Sequence, residues 1–310
     1  MTANVLFAGH PDAWPAYEPL LKAELARLGV DADLRKEFAP EEVDYIVYAP
    51  TGPVSDFTPF ARLKAVLSLW AGVEKIVPVV PAELPLTRMV DSGLEQGMTE
   101  WVVGHTLRYH LGMDAHILGQ NGHWEPKAPP LAKDRSVTVL GLGALGTASA
   151  KALAALGFQV SGWSRSQKDI AGITCHSGAE GLKAALAQAE IVILLLPDTP
   201  ATENTLNADT LALLPKGANI LNPGRGPLID DDALLAALDS GQVGHATLDV
   251  FRVEPLPPEH PYWAHLNVTV TPHIASETRE STAAEVIAEN IRRAEAGEPL
   301  LHLVDRSLGY

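Results

Sequence analysis

Strand-like and helix-like runs alternate along this chain, which predicts an α/β protein with parallel strands and crossover helices. Three observations carry the expectation. The alternation falls in two blocks, one on each side of residue ~100. A glycine-rich turn at 141–146 separates a strand-like run from a helix-like one. The length, 310 residues, suits about two domains.

In the first block, 5–7, 45–47 and 65–69 read as buried strands. Residues 19–28 have the apolar spacing of a helix, and Gly29 stops it. A polar stretch over 81–97 leads into a helix at 98–113. The proline-rich, aperiodic stretch 121–135 reads as a loop. In the second block, strands are expected at 136–140, 158–163, 191–195, 218–222, 244–249 and 268–270. Helices are expected at 144–156, where Gly157 ends an alanine-rich run, at 230–240 with three aspartates in its first turn, and at 280–296.

Composition narrows the function. Hydrophobic residues are 46% and charged residues 20%, ordinary for a packed globular chain. The longest dense apolar run spans 191–196, too short for a membrane helix. The first residues lack the features of a secretory leader, so none is expected. The lone Cys175 forms no internal disulfide, which fits a reducing cytoplasm, and excludes a zinc site of several thiolates. The net charge of −15, from 23 basic and 38 acidic residues, argues against nucleic acid as a partner. An anionic substrate would need a few well-placed arginines.

The turn GLGALG, 141–146, follows a strand and opens a helix, the context a dinucleotide fingerprint requires. Gly141 allows the tight turn, Gly143 a close pyrophosphate, and Gly146 a helix lying near the sheet. Ala144 and Leu145 offer free helix-start amides to the phosphates. At the end of the next strand, Ser164 stands where NAD-binding chains carry an acid, and Arg165, Ser166 and Lys168 follow. A carboxylate would repel a 2′-phosphate, whereas this group attracts one. NADPH is therefore expected over NADH, with NADH still possible. Asp169 is a rival acid several residues on, and Arg165 and Lys168 read alternatively as solvated surface charges. Pro197, beyond the 191–196 run, is counted with the cofactor contacts.

Arg225, Glu254 and His273 each sit in a Gly- or Pro-rich turn beyond a strand. Singly, each reads as a surface group. Together they suit reduction of a 2-oxo acid: an always-charged fork for its oxygens, a proton donor near neutral pH, and a carboxylate to steady the imidazolium. The remaining histidines, His105, His110, His116, His123, His260 and His265, lack metal-ligand spacing, so no metal is expected. Cys175 and His176, adjacent on a strand, face opposite ways.

The glycine turn, the N-x-x-R-G segment, LDVF…EPLP and TPHIA occur in the order found in the D-2-hydroxyacid dehydrogenases, which this chain resembles. It is most similar to their glyoxylate/hydroxypyruvate reductase A branch, through LWAGVEKI (69–76), the WSRS strand end, GMTEWVV (97–103) and VDRSLGY (304–310). The resemblance implies two Rossmann-like, doubly wound parallel-sheet domains with a cleft between them. Residues 1–98 plus 281–310 would form a flavodoxin-like substrate domain and 99–280 a dinucleotide-binding domain. It implies that Arg225 binds the substrate carboxylate and polarises the carbonyl. His273 would protonate the carbonyl oxygen, and Glu254 would pair with His273. Asp249 would meet the nicotinamide amide, Ala71, Gly72 and Val73 would offer amides to the carboxylate, and Tyr48 would supply an aromatic substrate contact. A homodimer is implied, with contacts from 98–113 and the following loop, carrying Trp101 and Trp124. Pro223, where an alanine is commoner, departs from the pattern and puts the fine substrate geometry in question. The alternatives are an NAD-dependent member of other substrate preference and a non-catalytic nucleotide-sensing scaffold.

Overall fold

The structure, a computed structural model, describes residues 2–124 and 126–309; Met1, Tyr310 and Glu125 of the expected loop lie outside the described residues. It divides into two compact units, residues up to Leu94 with those from Glu277 onward, and Glu95–Ser276. The chain passes between them at 94/95 and 276/277, where the sequence suggested 98/99 and 280/281.

The first unit contains β1 (Ala3–Ala8), α1 (Trp14–Arg27), β2 (Ala32–Arg35), β3 (Tyr45–Tyr48), β4 (Ala65–Ser68) and β5 (Leu86–Thr87). The sheet order is β2-β1-β3-β4-β5, all parallel. β3 and β4 are buried throughout, as parallel strands covered on both faces must be. α1 starts before Pro19, because Pro15 occupies its first turn, where a missing N–H costs nothing. Its Tyr17, Leu21 and Leu25, each one turn apart, share a core with Ala283, Ile287 and Ile291 of the final helix α8 (Glu280–Glu295). The end of α8 is tied to the sheet by Glu295, which accepts from Tyr45 Oη at 2.6 Å and pairs with Lys64 Nζ at 2.7 Å.

Helix α2 (Ser92–Leu111) leads into the second unit. It begins six residues before its expected start, since Asp91 Oδ1 accepts from the Gly93 and Leu94 amides and caps it. Gly112 stops it at φ 61°. There follow α3 (Met113–Leu118), β6 (Ser136–Leu140), α4 (Ala144–Ala155), β7 (Gln159–Ser164), β8 (Thr174–Ser177), α5 (Gly178–Leu186), β9 (Ile191–Leu194), α6 (Ala208–Leu211), β10 (Ala218–Asn222), α7 (Asp231–Asp239), β11 (Val243–Leu248) and β12 (Val268–Val270). Asp230, expected inside the first turn of α7, is its cap and accepts from Ala233 N at 3.0 Å. The seven parallel strands run β12-β11-β10-β9-β6-β7-β8. The winding reverses between β6 and β9, and the carboxyl edge at such a switch point is where ligands bind in these sheets.

The carboxyl half of α2 is bonded across β11 and β12. Arg108 pairs with Asp114 at 2.7 Å and donates to Thr269 Oγ1 at 2.9 Å, Tyr109 shares a hydrogen bond with Thr247, and His245 Nε2 lies 2.9 Å from Thr269 Oγ1. Among the described residues no helix is long and apolar enough to cross a membrane.

Buried titrating groups set the pH limits of this fold. Burial pushes the phenols of Tyr17, Tyr45, Tyr109 and Tyr262 above their ordinary value of 10. The unfolded chain therefore sheds more protons above about pH 10, and stability, fully present below that, falls as pH rises. Burial, followed by Arg108, pushes His245 down to about 4 from its ordinary 6.5. Its contribution is complete above pH 6.5 and is lost as pH falls toward 4. Denaturant melts across pH should fall off on both sides, with Tyr45→Phe flattening the alkaline limb. A flat profile from about pH 9 to pH 12 would contradict the assignment.

Candidate active site

β6 runs into Gly141 at φ 106°, a region L side chains avoid. A Cβ there would lie 2.4 Å from the Leu195 carbonyl oxygen, so glycine lets the ends of β6 and β9 approach. A Cβ on Gly146 would fall 1.8 Å from Gly141 O, which is how closely α4 lies against the turn. Gly143 faces open space: a Cβ there meets nothing within 4 Å. The amides of Ala144, Leu145 and Gly146 begin α4 and have no helical carbonyl before them. Open space in front of unused amides and a helix start fits a dinucleotide pyrophosphate.

At the end of β7 the Ser164 hydroxyl is buried and donates to Ser166 O at 2.8 Å. Gln167 spans the turn, donating to Lys168 O and Cys175 O and accepting from Ser177 Oγ. Arg165, Ser166 and Lys168 are exposed on this braced turn, and no carboxylate ends the strand. Pro197 follows β9, its carbonyl accepting from Thr202 Oγ1 at 2.6 Å.

Arg225 follows β10, Glu254 follows β11 and His273 follows β12, all on the same carboxyl edge. His273 Nδ1 lies 2.7 Å from Glu254 Oε2, and the other carboxylate oxygen of Glu254 accepts from Phe251 N at 2.8 Å. His273 has φ 55°, a left-handed conformation that costs a non-glycine residue about 1–2 kcal/mol. Asp249 holds it there. The Asp249 carbonyl accepts from His273 N, and its carboxylate accepts from Thr271 Oγ1 at 2.6 Å and from the Ile274 and Ala275 amides at 2.9 Å. Asp249, 1% exposed, therefore braces the His273 turn with both carboxylate oxygens. The Glu254–Pro255 peptide is cis.

Arg225 Nη1 donates to Gly224 O at 2.6 Å. Its turn is closed by Asn222, whose side chain donates to Arg225 O and accepts from Gly224 N. Pro223 has no N–H to offer, so Gly224 supplies that amide. The backbone links the Arg225 turn to the loop that carries Glu254. A Cβ on Gly226 would sit 2.0 Å from the Phe251 carbonyl carbon, so the Arg225 turn lies against the Glu254 loop.

In the first unit, Trp70 is pinned by Ser68, whose hydroxyl donates to Trp70 O and accepts from Trp70 N. Among the described residues the Ala71, Gly72 and Val73 amides donate to no backbone carbonyl. Tyr48 is 3% exposed, in the core with its ring 5.4 Å from Phe57, because all of β3 is covered on both faces.

The model for the D-isomer specific 2-hydroxyacid dehydrogenase NAD binding domain matches residues 105–275, more than half of the sequence. The chain belongs to this family. A glyoxylate/hydroxypyruvate reductase A of Serratia proteamaculans is 42% identical over 257 residues, 80% of this chain and 82% of that one. A D-isomer specific 2-hydroxyacid dehydrogenase of Xanthobacter autotrophicus Py2, solved with NADPH and MES, superposes with TM-score 0.93 at 42% identity over all of both chains. An NADPH-dependent glyoxylate/hydroxypyruvate reductase of Sinorhizobium meliloti, solved with NADP and sulfate, gives TM-score 0.86 at 34% identity, again over both whole chains. The resemblance carried by the motifs is borne out, as is the architecture of two parallel-sheet α/β units.

Two residues of this dehydrogenase site escaped the sequence reading. Asn222 was quoted only as part of N-x-x-R-G, although an asparagine opening a Pro-Gly turn is a recognised backbone clamp. Arg252 donates to Asn204 Oδ1, to Pro227 O at 3.3 Å and to Ile229 O at 2.6 Å, and pairs with Glu203 and Asp231. It therefore bonds the Glu254 loop to the segment after Arg225. Nothing in its local sequence signals that reach.

Proposed function

We propose that this chain reduces glyoxylate, hydroxypyruvate or a related small 2-oxo acid to the (D)-2-hydroxy acid with NADPH. The observation that carries the reading is the 2.7 Å bond between His273 and Glu254 at the edge that also holds Arg225 and the glycine turn. NADPH, when bound, supplies the hydride. Gly141, Gly143, Ala144, Leu145 and Gly146 receive its pyrophosphate, and Arg165 and Ser166 favour its 2′-phosphate.

The remaining steps belong to side chains of this protein. Arg225 holds the substrate carboxylate by its fork and polarises the carbonyl. Glu254 accepts from Nδ1 of His273, which leaves Nε2 to deliver a proton to the carbonyl oxygen. The negative carboxylate also steadies the imidazolium before transfer. The Ala71, Gly72 and Val73 amides serve the substrate carboxylate.

We further propose a homodimer. Ile117 and Leu118 of α3, Trp124 and Leu131 expose apolar side chains, with Trp124 93% exposed. Exposed apolar side chains of this kind suit a second copy. Trp101 instead packs at a tilt against His105 within the same chain, ring centroids 4.4 Å apart. Sedimentation should report twice the 33.1 kDa chain mass, and a monomer at micromolar concentration would refute this. A cytoplasmic location suits the unpaired Cys175, and recovery from a secreted fraction would contradict it.

Absorbance at 340 nm with a panel of 2-oxo acids and both nicotinamide cofactors tests the activity. Oxidation of NADPH by glyoxylate or hydroxypyruvate is expected, and silence across the panel overturns the reading. His273→Asn should lower kcat about 10²- to 10⁴-fold, the usual scale for a lost general acid. Arg165→Ala should raise KM for NADPH and leave that for NADH nearly unchanged. An unaltered ratio of the two would show that Arg165 does not read the 2′-phosphate.

A further inference from the structure

The segment that follows the Ala71–Val73 turn packs Val73, Ile76 and Val80 into the core but has few backbone hydrogen bonds of its own. Pro78, Pro81 and Pro85 offer no N–H. Its own bonds are short turns: Ile76 N and Val77 N donate to Val73 O, and Val79 N and Val80 N donate to Ile76 O. The carbonyls of Val77, Val80, Pro81 and Leu84 converge instead on one side chain from near the C-terminus. Arg306 Nη1 donates to Val77 O at 3.3 Å and Val80 O at 2.8 Å, and Nη2 donates to Pro81 O at 2.9 Å and Leu84 O at 3.0 Å.

Arg306 is itself delivered by the sheet. Val304 N donates to Leu86 O and Arg88 N donates to His302 O, so 302–304 runs alongside β5. The Val304 side chain lies in the same core cluster as Val73, Ile76 and Val80. On its other side the turn is fixed at Trp70 by Ser68 and by Met89 N, and at Leu69 by Thr278 Oγ1. The three unused amides thus sit between two anchors, one of which is the guanidinium.

We propose that Arg306 is a positioning residue for the Ala71–Val73 turn, setting its affinity for the carboxylate of the 2-oxo acid. The proposal rests on the function proposed above. A planar fork with fixed N–H directions can serve four carbonyls at once, and a lysine ammonium cannot. A carboxylate is bound alike before and during the reaction, so loosening its amides weakens uniform binding, which raises KM and spares kcat.

The test compares wild type, Arg306→Ala and Arg306→Lys by steady-state kinetics with glyoxylate, NADPH binding by fluorescence, and amide hydrogen exchange. Arg306→Ala should raise KM for glyoxylate by about tenfold, the scale of a 1.4 kcal/mol loss. It should leave kcat within about twofold and the NADPH Kd unchanged, because uniform binding alone is lost. Exchange should quicken over 73–84. Arg306→Lys should fall between, and it carries the same readouts if Arg306→Ala does not fold. An unchanged KM in a folded variant, unchanged exchange over 73–84, or a joint loss of kcat, KM and NADPH binding would each overturn the proposal. A wild-type chain that reduces no 2-oxo acid would instead overturn the function beneath it, before any variant is made.

Discussion

The buried carboxylate of Asp249 is the constraint on which the catalytic edge depends. It sits at the end of β11 with almost no solvent contact, where an ionised group survives only if its oxygens are bonded. Those bonds come from Thr271, Ile274 and Ala275, on both sides of His273. One buried carboxylate therefore fixes five consecutive residues. The left-handed backbone of His273, unfavourable by itself, is over-determined by its surroundings, the usual condition for such conformers at working sites. With the backbone set, Nδ1 meets Glu254 and the opposite ring nitrogen is left for a substrate.

A second constraint is steric. The backbone of Gly226 abuts Phe251, and Arg252 bonds the two loops from the solvent side. Glu254 is in turn fixed through the Phe251 amide. A displacement of the Arg225 turn would therefore be felt at Glu254, and through Glu254 at His273. Glu254 and His273 hold each other directly, and backbone packing at adjacent strand ends sets the Arg225 turn against them. Interiors at this density transmit shifts rather than absorb them.

Much of this was legible beforehand, for particular reasons. β6, β10 and β12 match the residues read as strands because runs such as 137–140 are β-branched or apolar and bounded by turn residues. The Gly141 turn was readable because its chemistry is local. β2 and β5 were not read: Ala32–Arg35 carries two charges, and Leu86–Thr87 lies among prolines, so their pairing is decided by neighbours distant in sequence. The early start of α2 was hidden by Gly93 and Gly97, poor helix formers that packing demands, since a Cβ on Gly93 would lie 2.6 Å from Thr282 Oγ1.

Side chains at strand ends show how far position in the sequence reaches. Tyr48 and Asp249 both stand at strand ends, where sequence position alone suggests exposure toward a ligand. The fold gives each a structural task that the sequence did not show: the Tyr48 ring completes a core, and the Asp249 carboxylate completes a turn. Arg252 and Arg306 show the converse. Each lies in a motif that identifies the family but does not reveal its partners, and each gathers carbonyls from segments far along the chain. In a protein with a net charge of −15, arginines are scarce enough that their placement carries information. A guanidinium spent on backbone carbonyls, where acidic side chains are plentiful, is satisfied by a geometry only one loop conformation provides, so it specifies that conformation more sharply than an ion pair with a mobile carboxylate would.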